Sequence, residues 1–330
     1  MNITIEEYKS NLEDVLRNCT FRDCDPIESR RQILKKIDCD ILPIRLFQYR
    51  SVSDAVIEGL KTGNIYFKSP VRFNDPYDSL MLWDMEALSE YFQNPTYADV
   101  LAKHWIFDAD TLAVSIRGRF RISCFSEVPD PPLMWAHYAS SGKGFCVEYE
   151  LNPCIGHPMC LKDGQPCIGG KDCKPSSCGF CCNCSLMPVI YTEKRLDATS
   201  AIRQEIEFAV AKELGKTYNL CDHDWLEPYR TALFKSKDWA YEKEWRLILS
   251  DVQLRGDRDC RYPCGNLVRV ILGSNMNPLE EYKVSKAIEV YAKREKRDVE
   301  LSKAYVDVQS SDYRLDIRHE WTIIGNSARD

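Results

Sequence analysis

The sequence lacks the features of a membrane-spanning, secreted or nucleic-acid-coating protein. No stretch approaches the roughly 18 consecutive apolar residues of a membrane-spanning helix. The first residues, MNITIEEYKSNLEDVL, have no basic start, apolar centre or small-residue cleavage site of a signal peptide. Basic residues are not in excess, since 44 Lys and Arg stand against 50 Asp and Glu for a net charge of −6. A global basic face for nucleic acid is therefore absent, and we expect a cytoplasmic protein without a membrane partner.

The composition is that of an ordinary globular chain. The 330 residues are 44% hydrophobic and 28% charged, which suits a folded protein with a sizeable core. Predicted strands and helices mix without regular βαβ alternation, so the predicted class is α+β, with antiparallel or mixed sheets and flanking helices. We predict an N-terminal helical arm over 1–40, a core domain over 41–275, and a C-terminal helix and strands over 276–330 that complete the core.

Hydrophobic periodicity and capping signals locate the individual elements. The first helix covers 4–18, and a second begins near Asp25. Ser51 and Asp54 begin the next helix, and Gly63 ends it. Further strands are predicted over 44–50, 65–69, 121–126, 144–149, 188–191, 244–249, 267–272, 299–308 and 315–317, and further helices over 84–117, 196–216, 224–236 and 279–293.

Cysteine is abundant and unevenly distributed. The chain has 16 Cys, and half of them fall in the stretch 154–184, which has almost no large apolar residues. Because such a stretch cannot form a core by hydrophobic burial, we predict a Cys-rich insertion within the core domain that folds around structural zinc. A disulfide knot, free thiols or an iron–sulfur cluster are the alternatives. The candidate zinc ligands are Cys154, Cys160, Cys167, Cys173, Cys178, Cys181, Cys182 and Cys184.

Two carboxylates stand at the start of the predicted strand 244–249. In a strand, Glu242 and Glu244 would share one face, and paired carboxylates are costly unless a cation or a function balances them. The alternative is a salt-bridged edge in which Arg246 neutralises Glu244, since structural ion pairs are a common cause of such clusters.

Other polar residues stand at the ends of predicted strands. Arg50 ends an early strand, where a guanidinium suits bidentate phosphate binding, although a surface arginine is the alternative. Ser126 ends a middle strand, and a lone serine is usually a turn former. Asn74, Asp75 and Asp78 would suit a divalent cation, but the Asn-Asp-Pro turn explains them by itself.

Taken in order, these segments are similar to those of a bacterial family known as domain of unknown function 2971. The resemblance spans residues 44–250, and the family name implies no activity. The matching segments are Leu46-Phe-Gln-Tyr-Arg-Ser51, Phe73-Asn-Asp-Pro76, Ser123-Cys-Phe-Ser-Glu127, Leu133-Met-Trp-Ala-His-Tyr138, Gly144-Phe-Cys-Val-Glu-Tyr149 and Trp239-Ala-Tyr-Glu-Lys-Glu-Trp-Arg246.

The same arrangement also resembles the Arg-Ser-Glu ADP-ribosyltransferases, which hold NAD in the cleft of a split β-sheet fold. The resemblance implies that Arg50 holds the NAD phosphates and that Ser126 braces the catalytic glutamate and the nicotinamide ribose. It further implies that Glu244 is the catalytic glutamate and that Glu242 helps to choose the acceptor. Ser51 stands where these transferases have a glycine beside the nicotinamide.

Two aromatic residues follow the middle motif in a proline-flanked loop. Trp135 or Tyr138 would stack on the nicotinamide or adenine ring. The alternative is an aromatic plug that fills the core beneath the loop.

The chemistry of NAD cleavage is consistent with these implied roles. Breaking the nicotinamide–ribose bond passes through an oxocarbenium-like cation, as glycoside hydrolysis does, and a fixed carboxylate stabilises that charge. We therefore expect an NAD-consuming enzyme that passes ADP-ribose to an unknown macromolecule, small molecule or water. The alternative is a non-catalytic binding or sensor module with a zinc-stapled insertion. A metal-dependent nuclease or phosphodiesterase would instead need Asp75, Asp78 and another acid to meet.

Overall fold

A computed structural model of the protein describes residues 4–18, 45–151, 161–162, 165–166, 186–216, 227–250, 261–263 and 265–325. Its helices are α1 Ile5–Asn18, α2 Asp54–Thr62, α3 Met85–Gln93, α4 Pro95–Lys103, α5 Ala109–Gly118, α6 Pro132–Tyr138, α7 Thr199–Glu213, α8 Glu227–Leu233 and α9 Pro278–Glu295. Its strands are β1 Arg45–Arg50, β2 Asn64–Tyr66, β3 Phe120–Ser126, β4 Phe145–Leu151, β5 Leu161–Lys162, β6 Gln165–Pro166, β7 Leu186–Pro188, β8 Ile190–Thr192, β9 Phe234–Ser236, β10 Glu244–Ser250, β11 Arg261–Pro263, β12 Gly265–Leu272, β13 Val299–Val306 and β14 Leu315–Ile323. Short 3₁₀ helices cover Pro70–Arg72 and Lys237–Glu242.

One large sheet organises the molecule. Its eight strands lie in the order β14-β13-β12-β4-β1-β3-β10-β7. Only the β12–β13 pair is parallel, and α9 connects those two strands. The fold is therefore α+β, with a mixed but mostly antiparallel sheet and flanking helices, as the sequence predicted.

The middle of this sheet contains a break in strand pairing. Strand β1 pairs with β4 along its whole length, but with β3 only where Phe47 lies opposite Ser126. On its other side β3 pairs with β10 over seven positions, with Ser126 opposite Glu244. Because β1 and β3 separate beyond their single pairing, a cleft opens between them.

Hydrophobic burial explains how the helices attach to the sheet. The apolar face of α1, formed by Tyr8, Leu12, Val15 and Leu16, is buried in the main core cluster, so this part of the predicted arm packs on the core. A second cluster joins α3, α4, α5 and α7. The predicted second helix of the arm and the eight cysteines of the insertion lie outside the described residues.

Several local expectations differ from the structure. The predicted helical stretch 84–117 is divided into α3, α4 and α5, and the helix predicted to reach residue 236 ends at Leu233, where β9 follows. Residues 132–138 form helix α6 rather than a loop, because Pro132 begins the helix and the Ala139 N–H bonds the Trp135 carbonyl. Glu242 ends a 3₁₀ helix rather than entering the strand, since Lys243 at φ 45° turns the chain before β10. Strand β14 continues to Ile323, beyond the predicted 315–317.

The length and hydropathy of the helices also bear on membrane insertion. Among the described residues, none of the helices is both long enough and apolar enough to cross a bilayer.

Candidate active site

The cleft between β1 and β3 brings together most of the residues singled out in the sequence. Its cavity is about 190 Å³ in volume. Arg50 lies on the β1 side, Ser126 ends β3, and Glu242 and Glu244 line the same cavity. Residues that lie 76 to 194 positions after Arg50 in the chain therefore converge with it on one site.

Arg246 is completely buried and binds two carboxylates that line the cleft. Its guanidinium binds Asp78 in a bidentate manner, with Nη1–Oδ1 and Nη2–Oδ2 distances of 2.8 and 2.7 Å. It also donates from Nε and Nη2 to the two oxygens of Glu244, at 2.8 and 3.0 Å. The carbonyl of Ala232 accepts a further bond from Nη1. Each of the five N–H groups of Arg246 thus has a buried acceptor.

Lys235 links the carboxylates of the cleft. Its Nζ donates to Oε2 of Glu242 at 2.5 Å and to Oε2 of Glu244 at 3.0 Å, and it lies 3.5 Å from Oδ2 of Asp78. Burial by itself would lower the pKa of Lys235, but Glu244 and the other carboxylates raise it, so the ammonium stays charged. Lys235 was not among the residues predicted from the sequence, where its one signal is a lysine directly after the apolar run Ala232-Leu-Phe234.

The cluster has more carboxylates than cations. Asp78, Glu242 and Glu244 are buried with Lys235 and Arg246, which leaves one negative charge when all five groups are ionised. Arg246 saturates Asp78 and Glu244. The uncompensated charge therefore falls mainly on Glu242.

Glu242 is poised to change its protonation state near neutral pH. Burial first, and then the neighbouring charge of Glu244, raise the pKa of Glu242 to about 7. Lys235 and Tyr138 oppose that rise by bonding the charged form, and Tyr138 Oη donates to Oε1 at 2.5 Å. Burial also raises the pKa of Tyr138, so the phenol remains a donor.

Glu244 behaves in the opposite way. Burial would raise its pKa, but the charges of Arg246 and Lys235 outweigh burial and hold the pKa well below its usual range. Its carboxylate is permanently ionised and accepts three charge-assisted hydrogen bonds. Glu244 is therefore neutralised by Arg246, as the salt-bridge alternative predicted. Its side chain also lines the cleft.

Ser126 holds the turn that carries the two glutamates. It is fully buried, and its Oγ donates to the carbonyl of Glu242 at 2.7 Å. The same Oγ accepts from the backbone N–H of Val128 at 3.2 Å. The hydroxyl therefore braces the backbone of Glu242.

Arg50 supplies positive charge at the opposite side of the cleft. Its Nε and Nη2 donate to Oε1 of Gln48 at 3.1 and 2.6 Å, and the Gln48 amide nitrogen reaches across to Ser123 Oγ and the Cys124 carbonyl of β3. Burial lowers the pKa of Arg50. Lys68 also lines the cleft. Within the described part of the chain, neither Arg50 nor Lys68 has a carboxylate at ion-pair distance.

Two predicted binding residues lie away from the cavity. Trp135 is buried with its Nε1 donating to the Pro129 carbonyl at 2.8 Å, and its ring meets Tyr49 edge-on. Ser51 is exposed and its Oγ accepts from Ser140. Tyr138 is thus the only one of the two predicted aromatic residues that lines the cleft.

The acidic turn does not form a metal centre. Asp78 is committed to Arg246, while Asp75 faces a different cavity. In the parts of the chain that the structure describes, no group of three or more His, Cys, Asp or Glu side chains is arranged to hold a metal ion.

Comparison with known protein families gives a match over part of the chain. Residues 134–247 match the model of a family described as Protein of unknown function (DUF2971). The matched segment covers 114 of the 330 residues. It contains Tyr138, Lys235, Glu242 and Glu244, and so supplies the acidic side of the cleft. No curated protein and no solved structure matches the chain.

Proposed function

We propose that the protein is an NAD-consuming enzyme of ADP-ribosyltransferase type, and that the cleft between β1 and β3 is its active site. The observation that carries the proposal is the opposition of charge across one cavity. Arg50, without a carboxylate partner among the described residues, faces a buried cluster that carries one excess negative charge when Glu242 is ionised. This arrangement suits a substrate whose anionic part binds Arg50 and whose reacting part becomes positively charged beside the carboxylates.

The anionic part of NAD is its pyrophosphate. Arg50 would hold the pyrophosphate through its remaining N–H groups, because Gln48 engages only Nε and one N–H of Nη2 and fixes the plane of the guanidinium. This contact would also fix the orientation of the nicotinamide ribose relative to the glutamates.

The developing cation is the ribose oxocarbenium ion. We assign its stabilisation to the excess negative charge centred on Glu242, since the carboxylate of Glu244 is neutralised by Arg246 and Lys235. A preorganised charge in a buried site acts strongly because little water screens it. Glu244 would hold Lys235 and Arg246 in place, and Ser126 would hold the turn.

The separation of β1 and β3 supports the finer fold proposal. A split sheet of ADP-ribosyltransferase-like type has its NAD cleft between diverging strands, and here β1 and β3 diverge after one pairing. The proposal includes the zinc-bound Cys-rich insertion over 154–184, whose composition is its support.

The test is incubation with adenylate-labelled NAD, alone and with a bacterial extract as a source of acceptors. We expect released nicotinamide, with label either free as ADP-ribose or attached to an acceptor. NAD binding without any nicotinamide release would support the sensor alternative instead.

A further inference from the structure

A second cavity lies on the far side of Arg50. It is about 320 Å³ in volume and is enclosed by α2, β2 and β4. Arg50 and Tyr66 line both this cavity and the glutamate cleft. The two spaces therefore meet at the guanidinium, and together they fall in the range of about 300–1,000 Å³ typical of ligand sites.

The chemistry of the second cavity differs from that of the cleft. Its walls are largely apolar, from α2 residues such as Val56 and Leu60 and from Phe145 and Val147 of β4. No Asp or Glu lines it, and Asn64 is its one side-chain amide. Arg261 of β11 also lines it, in addition to Arg50. A largely apolar chamber lined by two arginines suits a flat, uncharged ring attached to a phosphate.

From this geometry we infer that the site takes a two-part ligand, a dinucleotide, whose phosphates lie at Arg50 and whose purine nucleoside half enters the second cavity. The inference rests on the proposed function for the other half, which would place nicotinamide and its ribose in the glutamate cleft. In this arrangement Tyr66 would lie between the two halves of the dinucleotide, where its exposed ring would pack on the ligand.

Lys68 is a second candidate for binding the phosphates of the ligand. It lines the glutamate cleft, and its Nζ lies 5.6 Å from the centre of the Phe73 ring. A pyrophosphate carries two negative charges, so a single arginine leaves one of them uncompensated. Lys68 is a cation of the cleft that, unlike Lys235, has no carboxylate at ion-pair distance among the described residues, and its contribution is a point charge rather than a planar fork.

The experiment uses ADP, which has the purine nucleoside and the phosphates but no nicotinamide. Isothermal titration should show ADP binding to the wild-type protein. Ala55→Trp, which places a large ring at an exposed helix position in the wall of the second cavity, should weaken binding at least tenfold. Val56→Phe narrows the same cavity. Weaker ADP binding by this variant as well would show that the effect is not specific to the Ala55→Trp substitution.

The matched control is Glu58→Trp, an exposed residue of the same helix that does not line the cavity. It should bind ADP as the wild type does, and melting temperatures should show that all three variants are folded. The inference is overturned if ADP does not bind the wild type, or if Ala55→Trp and Val56→Phe bind it unchanged. Because ADP cannot be cleaved to nicotinamide, ADP binding without NAD turnover would refute the proposed reaction and leave the two-part site intact.

Discussion

The two glutamates of the cleft should respond differently to the same substitution. In Glu244→Gln, an amide replaces the carboxylate that accepts from Arg246 and Lys235. The amide nitrogen would then face one of these donors, and the completely buried Arg246 would lose one of its two anions. Removing one partner of a buried ion pair costs about 3–5 kcal/mol, which is roughly a 6–20 °C loss of melting temperature.

Glu242→Gln should cost far less stability. Tyr138 keeps an oxygen acceptor, and Lys235 keeps Glu244 and Asp78 as anions. The substitution also removes a carboxylate whose burial opposes its ionisation. We expect a melting temperature within a few degrees of the wild type but a loss of about 10²–10³ in NAD cleavage, because the excess negative charge is gone.

The assay is nicotinamide release and melting temperature on the same protein samples at pH 8. Glu148→Gln is the matched control, since Glu148 is a buried carboxylate paired with Arg269 at 2.7 Å and lies outside the cleft. It should lose stability and keep turnover. If Glu242→Gln retains wild-type turnover while Glu244→Gln stays folded and loses it, the assignment of the excess charge to Glu242 is wrong.

Four further outcomes follow from the same cluster and from the insertion. NAD cleavage should increase as pH rises through about 7, where Glu242 ionises, and a profile that is flat between pH 6 and 8 would contradict this. From pH 4.5 to about 7 the wild type should lose stability relative to Glu242→Gln, because a raised pKa means that the folded state binds the proton more tightly than the unfolded state over that range. Tyr138→Phe should move the activity profile to higher pH. In the wild type the Tyr138 hydrogen bond favours the charged form of Glu242, so its removal should raise the pKa of Glu242. Elemental analysis of protein purified in reductant should find zinc, and full retention of protease resistance over 154–184 in metal-free, reduced protein would argue against a zinc-stapled insertion.

Local signals in the sequence predicted most of the elements. Helix α2 illustrates why: it begins at Asp54 and ends before Gly63 at φ 65°, as predicted, although its N-cap is Ser53, which accepts from the Val56 N–H, rather than Ser51. Both signals act within a few residues of the chain, so periodicity and capping chemistry are sufficient to find them. The α+β class followed from the order of those elements.

The pairing of strands was beyond the reach of local signals. The cleft exists because β1 pairs fully with β4 and at a single position with β3, and neither feature is encoded within one strand. The proximity of Glu242 to Glu244 was expected for the wrong reason, since a turn at Lys243 rather than strand alternation brings their side chains to Lys235.

The charge balance of the site could not be predicted from the sequence either. Motif spacing suggested an Arg246–Glu244 pair, and that pair is present. Asp78 and Lys235 lie 157 positions apart in the chain, and their meeting depends on tertiary packing. Without them the excess charge on Glu242 and the saturation of Glu244 could not be deduced.

The most direct test of the central claim is nicotinamide release from NAD by the wild type and by Arg50→Ala, measured across a range of NAD concentrations with and without bacterial extract. The account predicts release by the wild type and a KM increased at least tenfold in Arg50→Ala, since the guanidinium is assigned to the pyrophosphate. No release by folded wild-type protein under either condition, or identical kinetics in the two proteins, would contradict it.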